Sequence, residues 1–211
     1  MAKKVVISSA VLGAVAIGVA ILLVKRKGST RFKRKAVKTA KKEWEIWNSP
    51  TKKTESDSGQ YKHLKKYWDS VGKKPSSWDT DDAWSAVFIS HLMREAKMKD
   101  DFNYSARHSD YINSATKNKL GETRGKAKAY RLEEKKVKVG DLICNSRESK
   151  DDYYGEYRRY KSHCDIVVKK NRKQAEVIGG NLQNSVSKQM IPLENGFVKR
   201  GNKRFVVIST K

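Results

Sequence analysis

The sequence predicts an α+β domain, helices first and an antiparallel sheet second, behind one N-terminal transmembrane helix. Three observations carry this. An uncharged apolar run opens the chain, apolar residues recur at helical spacing through the first half, and short β-branched runs replace them after Gly140.

The apolar run is Val5–Val24. About 20 residues at roughly 1.5 Å rise match a hydrocarbon core about 30 Å thick. A cleaved signal peptide is the competing reading, since Lys3 and Lys4 resemble its charged leader and Ala14-Val-Ala16 a small-residue cleavage site. That site lies inside the apolar run, which is also longer than the roughly 7–15 residues of a signal core, so an anchor is expected. A basic run follows, with Lys25, Arg26, Lys27, Arg31, Lys33, Arg34, Lys35, Lys38, Lys41 and Lys42 all preceding the first acid, Glu43. Beside a membrane it attracts anionic headgroups, by about 1 kcal/mol per charge. It also favours a cytoplasmic soluble domain, because positive flanks tend to stay inside.

Residues Arg31–Trp47 fit a basic helix, ended by Pro50 and the polar stretch Thr51–Ser58. Tyr61, Leu64, Tyr67, Trp68 and Val71 follow helical spacing, closed by Gly72 and Pro75. A third helix is expected from Thr80, an N-cap with Asp81 and Asp82 after it, burying Trp84, Val87, Phe88 and Leu92. A weaker helix is expected over His108–Leu120. Strands are expected at Asp141–Cys144, Asp165–Val168, Ala175–Ile178, Ser185–Pro192 and Phe205–Ile208, joined as a meander through Gly/Asn/Lys clusters. The organisation that follows is an anchor at 1–24, a basic juxtamembrane stem and linker at 25–58, and one α+β domain at 59–211.

Five Trp, nine Tyr and five Phe in 211 residues supply enough apolar bulk for a core. A net charge of +24 calls for anionic surroundings: phospholipid, nucleic acid, or a wall or capsid surface. The charge is spread along the chain without a zinc-finger, helix-turn-helix or RNA-binding signature, which argues against sequence-specific readout. Cys144 and Cys164 form no CxxC pair, and His63, His91, His108 and His163 lack metal-ligand spacing, so neither metal nor cofactor is expected. The cysteines read as buried apolar residues, or as a disulfide if they lie on neighbouring strands in an oxidising compartment.

Three motifs follow in order. Trp84-Ser-Ala-Val-Phe-Ile-Ser90 opens a helix. Gly140-Asp-Leu-Ile143 and His163-Cys-Asp-Ile-Val-Val168 each open a strand, and Val177-Ile-Gly-Gly-Asn181 ends the next one. Over roughly Trp78–Ser187 this resembles the papain-like amidase/peptidase superfamily, in particular the CHAP and NlpC-type cell-wall hydrolases. It looks closest to a bacterial and phage branch bearing W-S-A-x-F-I-S. The catalytic families carry cysteine where this chain has Ser85. The resemblance implies Ser85 as nucleophile, His163 as base and Asn181 as the residue that orients the ring, with no metal. A helix dipole lowers a thiol's pKa, but it cannot ionise a serine hydroxyl, so Ser85 needs a true general base and an oxyanion hole. Cys164 points away from His163 on the same strand and Cys144 stands on another, so neither replaces it. His108 fits a surface residue at a helix start.

The resemblance thus implies a membrane-anchored hydrolase that cuts peptidoglycan peptides or the sugar–peptide link. The alternative is a catalytically silent domain, structural or binding, for example in a membrane-containing virus particle, touching capsid or nucleic acid through bulk charge.

Overall fold

The computed structural model describes residues 31–75 and 82–210. It is an α+β domain in which helices precede a curled antiparallel sheet. The expected anchor, Val5–Val24, lies outside the described residues. Among those described, no helix is long and apolar enough to cross a membrane.

Helix α1 runs through residues 31–48. Its small and apolar positions, Ala36, Val37, Ala40 and Trp47, are buried in the main core, and Glu43 is buried beside them. Arg31, Arg34, Lys35, Lys38, Lys41 and Lys42 take the exposed side. Lys33 reaches Asp141 at 2.6 Å, across from the turn that opens the sheet. Gly140 in that turn has φ +87, and a Cβ there would meet the Lys33 side chain at 2.7 Å. Helix α1, on the N-terminal side of the boundary expected at residue 59, packs into the same core. The described part of the stem belongs to the domain, because its apolar stripe is needed to complete the core.

Helix α2 (Tyr61–Asp69) buries Leu64, Tyr67 and Trp68. Helix α3 (Ser85–Glu95) starts later than its sequence suggests. Thr80 and Asp81 lie outside the described residues, and Trp84 occupies the N-cap position. The start is fixed by the Trp84 side chain, which donates its indole N–H to Glu55 and stacks on Trp47 with ring centroids 5.1 Å apart. Tyr67 adds a second stack on Trp84, at 6.0 Å. Helix α4 (His108–Leu120) ends at Gly121, whose left-handed φ of 86 closes the last turn.

The sheet comprises β1 (Ala127–Arg131), β2 (Leu142–Ser146), β3 (Ser162–Lys170), β4 (Gln174–Gly179), β5 (Ser187–Glu194), β6 (Phe197–Val198) and β7 (Arg204–Thr210). Its order is β1-β7-β2-β3-β4-β5-β6. The expected meander holds from β2 to β6, but the final strand returns to lie between β1 and β2. One face packs on the helices through Leu142, Cys144, Cys164, Ile166, Val206 and Ile208. The other encloses a second core of Ile143, Val167, Val177, Ile191, Leu193 and Val207. Cys144 and Cys164 are register partners on β2 and β3 and are joined by a disulfide.

Candidate functional site

The centre forms where the start of α3, the start of α4 and the beginning of β3 meet. Ser85 is the first residue of α3 and is 3% exposed. The N-cap residue of this helix, Trp84, makes no side-chain cap hydrogen bond. The partner of the Ser85 hydroxyl is His108, the first residue of α4, whose Nε2 lies 2.7 Å away. His108 is buried, not the surface residue its helix-start position suggests. Its other nitrogen, Nδ1, hydrogen-bonds the hydroxyl of Tyr111 one turn further along α4.

These contacts set the protonation of the pair. Burial, with smaller contributions from His163 and Arg147, holds His108 well below the ordinary histidine value, so the ring is neutral at pH 7. Burial, and then the charge of Asp165, pushes the Tyr111 hydroxyl well above its usual range, so it stays protonated. In the tautomer with the proton on Nδ1, His108 donates to the Tyr111 oxygen and its free Nε2 lone pair accepts the Ser85 proton. That is the tautomer a general base requires.

His163 sits close by, its ring centroid 5.2 Å from that of His108. Its Nε2 is 2.7 Å from Asp165 Oδ1, and its Nδ1 is 3.0 Å from Arg147 Nη2. A guanidinium only donates, so Nδ1 is the acceptor and Nε2 carries the proton given to Asp165. With both nitrogens engaged, His163 has no free lone pair for Ser85. The imidazole within hydrogen-bonding distance of the Ser85 hydroxyl is that of His108, not His163.

Asn181 stands just past β4 with φ +55, a left-handed turn residue. The orienting bond expected from it is supplied by Asp165, two residues along β3 from His163 on the same side of the strand. The glycines before Asn181 have a packing reason. A Cβ on Gly179 would lie 1.9 Å from Asp165 Oδ1, and one on Gly180 would lie 2.6 Å from the Phe88 side chain.

The sequence therefore marked Ser85 and His163, and the structure brings both to one centre. It left out His108 as a working group, together with Tyr111, Asp165 and Arg147. The His108/Tyr111 spacing of three on a helix and the His163/Asp165 spacing of two on a strand were signals that could have found them. Among the described residues no group of three or more His, Cys, Asp or Glu side chains is placed to hold a metal ion.

The model of one protein family, described as an uncharacterised protein conserved in bacteria (DUF2272), matches residues 42–207. No curated protein and no solved structure matches the chain. The chain belongs to that bacterial family, and the matched span covers the described centre from Ser85 to Asp165.

Proposed function

We propose that this chain is a membrane-tethered amide hydrolase of the papain-like kind, with serine as nucleophile and peptidoglycan peptides as substrate. The observation that carries the reading is the Ser85–His108 pair, hydroxyl and neutral imidazole 2.7 Å apart at the start of a helix.

Ser85 Oγ attacks the substrate carbonyl carbon while His108 Nε2 takes its proton. The carbonyl oxygen becomes an oxyanion near the N-terminus of α3, where the helix dipole favours negative charge. His108 then passes its proton to the departing amine nitrogen, the C–N bond breaks and an acyl ester remains on Ser85. Water, deprotonated by the same Nε2, cleaves the ester and restores the hydroxyl. Tyr111 holds the His108 tautomer throughout. His163, held by Asp165 and Arg147, packs against His108.

The Cys144–Cys164 disulfide supports a domain folded in an oxidising compartment, where a wall enzyme must act. The tether would be Val5–Val24, and the cationic side of α1 would rest on anionic headgroups.

The test is release of peptide or amino-sugar fragments from purified cell walls by the whole chain in detergent. Ser85→Ala and His108→Ala should each lower the rate by about 10²-fold or more, and Asn181→Ala should leave it largely intact. Equal rates in the chain and Ser85→Ala would sink the mechanism. The silent, structural alternative is favoured by one observation, the 3% exposure of Ser85. An inert chain whose Ser85→Cys variant is also inert would establish it.

A further inference from the structure

His163 belongs to two neighbourhoods. One is the Ser85–His108 pair. The other is a pocket of about 140 Å³ to which Arg147, Arg204, Asn145, Gln189 and Asp165 also contribute, and which neither Ser85 nor His108 lines. The strand register explains the grouping. Asn145 on β2 pairs with His163 on β3 at one side and with Arg204 on β7 at the other, so the three stand in a row across adjacent strands. Arg147 follows two residues after Asn145, past the end of β2, where its backbone N–H bonds Lys161 O at 2.9 Å.

The charges in this pocket do not balance. Two guanidinium groups face it, and the acid that acts on both is Asp165. One oxygen of Asp165 is already taken by His163. Among the described residues, Arg204 Nη1 bonds the Gly201 carbonyl at 3.3 Å, and Arg147 Nη2 is turned to His163. Each guanidinium carries five N–H donors, so most of them remain for a ligand. The planar fork of such a group matches a carboxylate, and two forks on one pocket wall fit one anion well. The volume exceeds the roughly 30 Å³ share of a water molecule several-fold, enough for a carboxylate with its α-carbon substituents.

We propose that this pocket is a carboxylate-binding site, which holds a free carboxylate of the peptide substrate while the adjacent amide is presented to Ser85. This rests on the hydrolase reading for its role, but not for the binding itself. Arg204 is the principal donor. Arg147 shares the anion and couples the pocket to His163.

The experiment has a binding arm and a kinetic arm, both on the whole chain in detergent. In the first, N-acetylalanine, its carboxamide and inorganic phosphate are titrated while amide and Arg side-chain NMR signals are followed. The carboxylate should shift Arg204 and Arg147 signals saturably and the carboxamide should not. Arg204→Gln should weaken carboxylate binding by about tenfold or more, Arg204→Lys should recover part of it, and Ser85→Ala should leave it unchanged. Equal binding of acid and carboxamide, or unchanged affinity in Arg204→Gln at native thermal stability, overturns the proposal. Phosphate binding without carboxylate binding overturns it as well. In the second arm, Arg204→Gln should raise KM for a peptide with a free carboxylate and leave KM for its amidated form alone, with kcat preserved. Carboxylate binding in a chain that hydrolyses nothing would retain the site and discard the enzyme reading. Hydrolysis with the two KM values unchanged would do the reverse.

Discussion

Replacing Glu43 with glutamine probes the interaction that joins α1 to the helices behind the centre. Glu43 has no exposed side-chain surface. Its Oε2 accepts the Tyr67 hydroxyl at 2.6 Å and its Oε1 the Lys66 ammonium at 3.0 Å. His91 Nε2 stands 3.8 Å from Oε1. Burial is the largest single influence and opposes ionisation, but His91, Tyr67 and Lys66 together outweigh it and bring the carboxyl down from 4.5 to about 2. At about 1.4 kcal/mol for each tenfold change in proton affinity, that difference is worth about 3 kcal/mol to the folded state. The carboxyl binds protons more weakly folded than unfolded. Its contribution is therefore complete above pH 4.5 and is lost as pH falls towards 2.

Urea unfolding followed by tryptophan fluorescence reads this directly, since Trp47 donates to Tyr67 Oη at 3.0 Å and stacks on Trp84. With a slope of about 2 kcal/mol/M, Glu43→Gln should lower the midpoint at pH 7 by about 1.5 M. The two proteins should draw together as pH falls through about 2, where the wild-type carboxyl becomes protonated. Parallel curves from pH 7 to pH 2 would show that the ionised carboxylate gives the fold nothing, and would refute the reasoning. Because Tyr67 also packs on Trp84, the neighbour of Ser85, a loosened Glu43 network should widen the scatter of the Ser85 backbone before the domain unfolds.

Three further outcomes follow from the same contacts. If His108 is the base, the acid limb of kcat/KM lies below the ordinary histidine value of 6.5, because burial holds the ring neutral to lower pH; a limb at or above 6.5 would assign the base elsewhere. Replacing Cys144 and Cys164 together with serine, or reducing them, should cost about 3 kcal/mol in urea unfolding, the value for closing a loop with a sequence separation of 20; no change in midpoint would mean that the bond does not form. Gly179→Ala would put a methyl 1.9 Å from Asp165 Oδ1, displacing the carboxylate from His163 at about 1–3 kcal/mol; unaltered stability and an unaltered His163 NMR signal would remove the close approach.

The elements most legible in sequence were those whose signals are local. Helix α4 has its expected limits, His108–Leu120, because its spacing lies within it and Gly121 follows directly to close it. The runs at β3, β4 and β5 are strands because β-branched residues fall between turn clusters. What could not be read was set from a distance. The segment Ala127-Lys-Ala-Tyr-Arg131 has no β-branched residue and is a strand only because the last strand of the chain pairs with it. The N-cap signal at Thr80 was strong locally, yet α3 begins at Ser85, where the Glu55 bond and the Trp47 stack hold Trp84. Helix α1 carried its apolar stripe in plain view beneath a dense positive charge. The site divides the same way. Ser85 and His163 lie in motifs, whereas the Ser85–His108 bond joins two helix starts 23 residues apart. No short-range pattern encodes that.

Charge and disulfide give opposite answers for the side of the membrane on which the proposed tethered enzyme works, and the fold separates what each can determine. Positive flanks bias insertion towards a cytoplasmic domain, and in the described residues the only cation of that flank in a salt bridge is Lys33, with Asp141. Pairing therefore does not dissolve the conflict. Yet Arg31, Arg34, Lys35, Lys38, Lys41 and Lys42 are not a loose tail: they are one side of a helix whose other side is core. Residues 25–30 span at most about 20 Å even when fully extended, so in the tethered reading this face stays near the bilayer. At about 1 kcal/mol per charge it would hold the domain against an anionic leaflet on either side. The attraction thus fixes how the domain lies and not where. The Cys144–Cys164 bond, with both cysteines buried in the main core, depends on the compartment itself. For the proposed tethered enzyme it weighs against the insertion bias and favours the side where a wall substrate would be found.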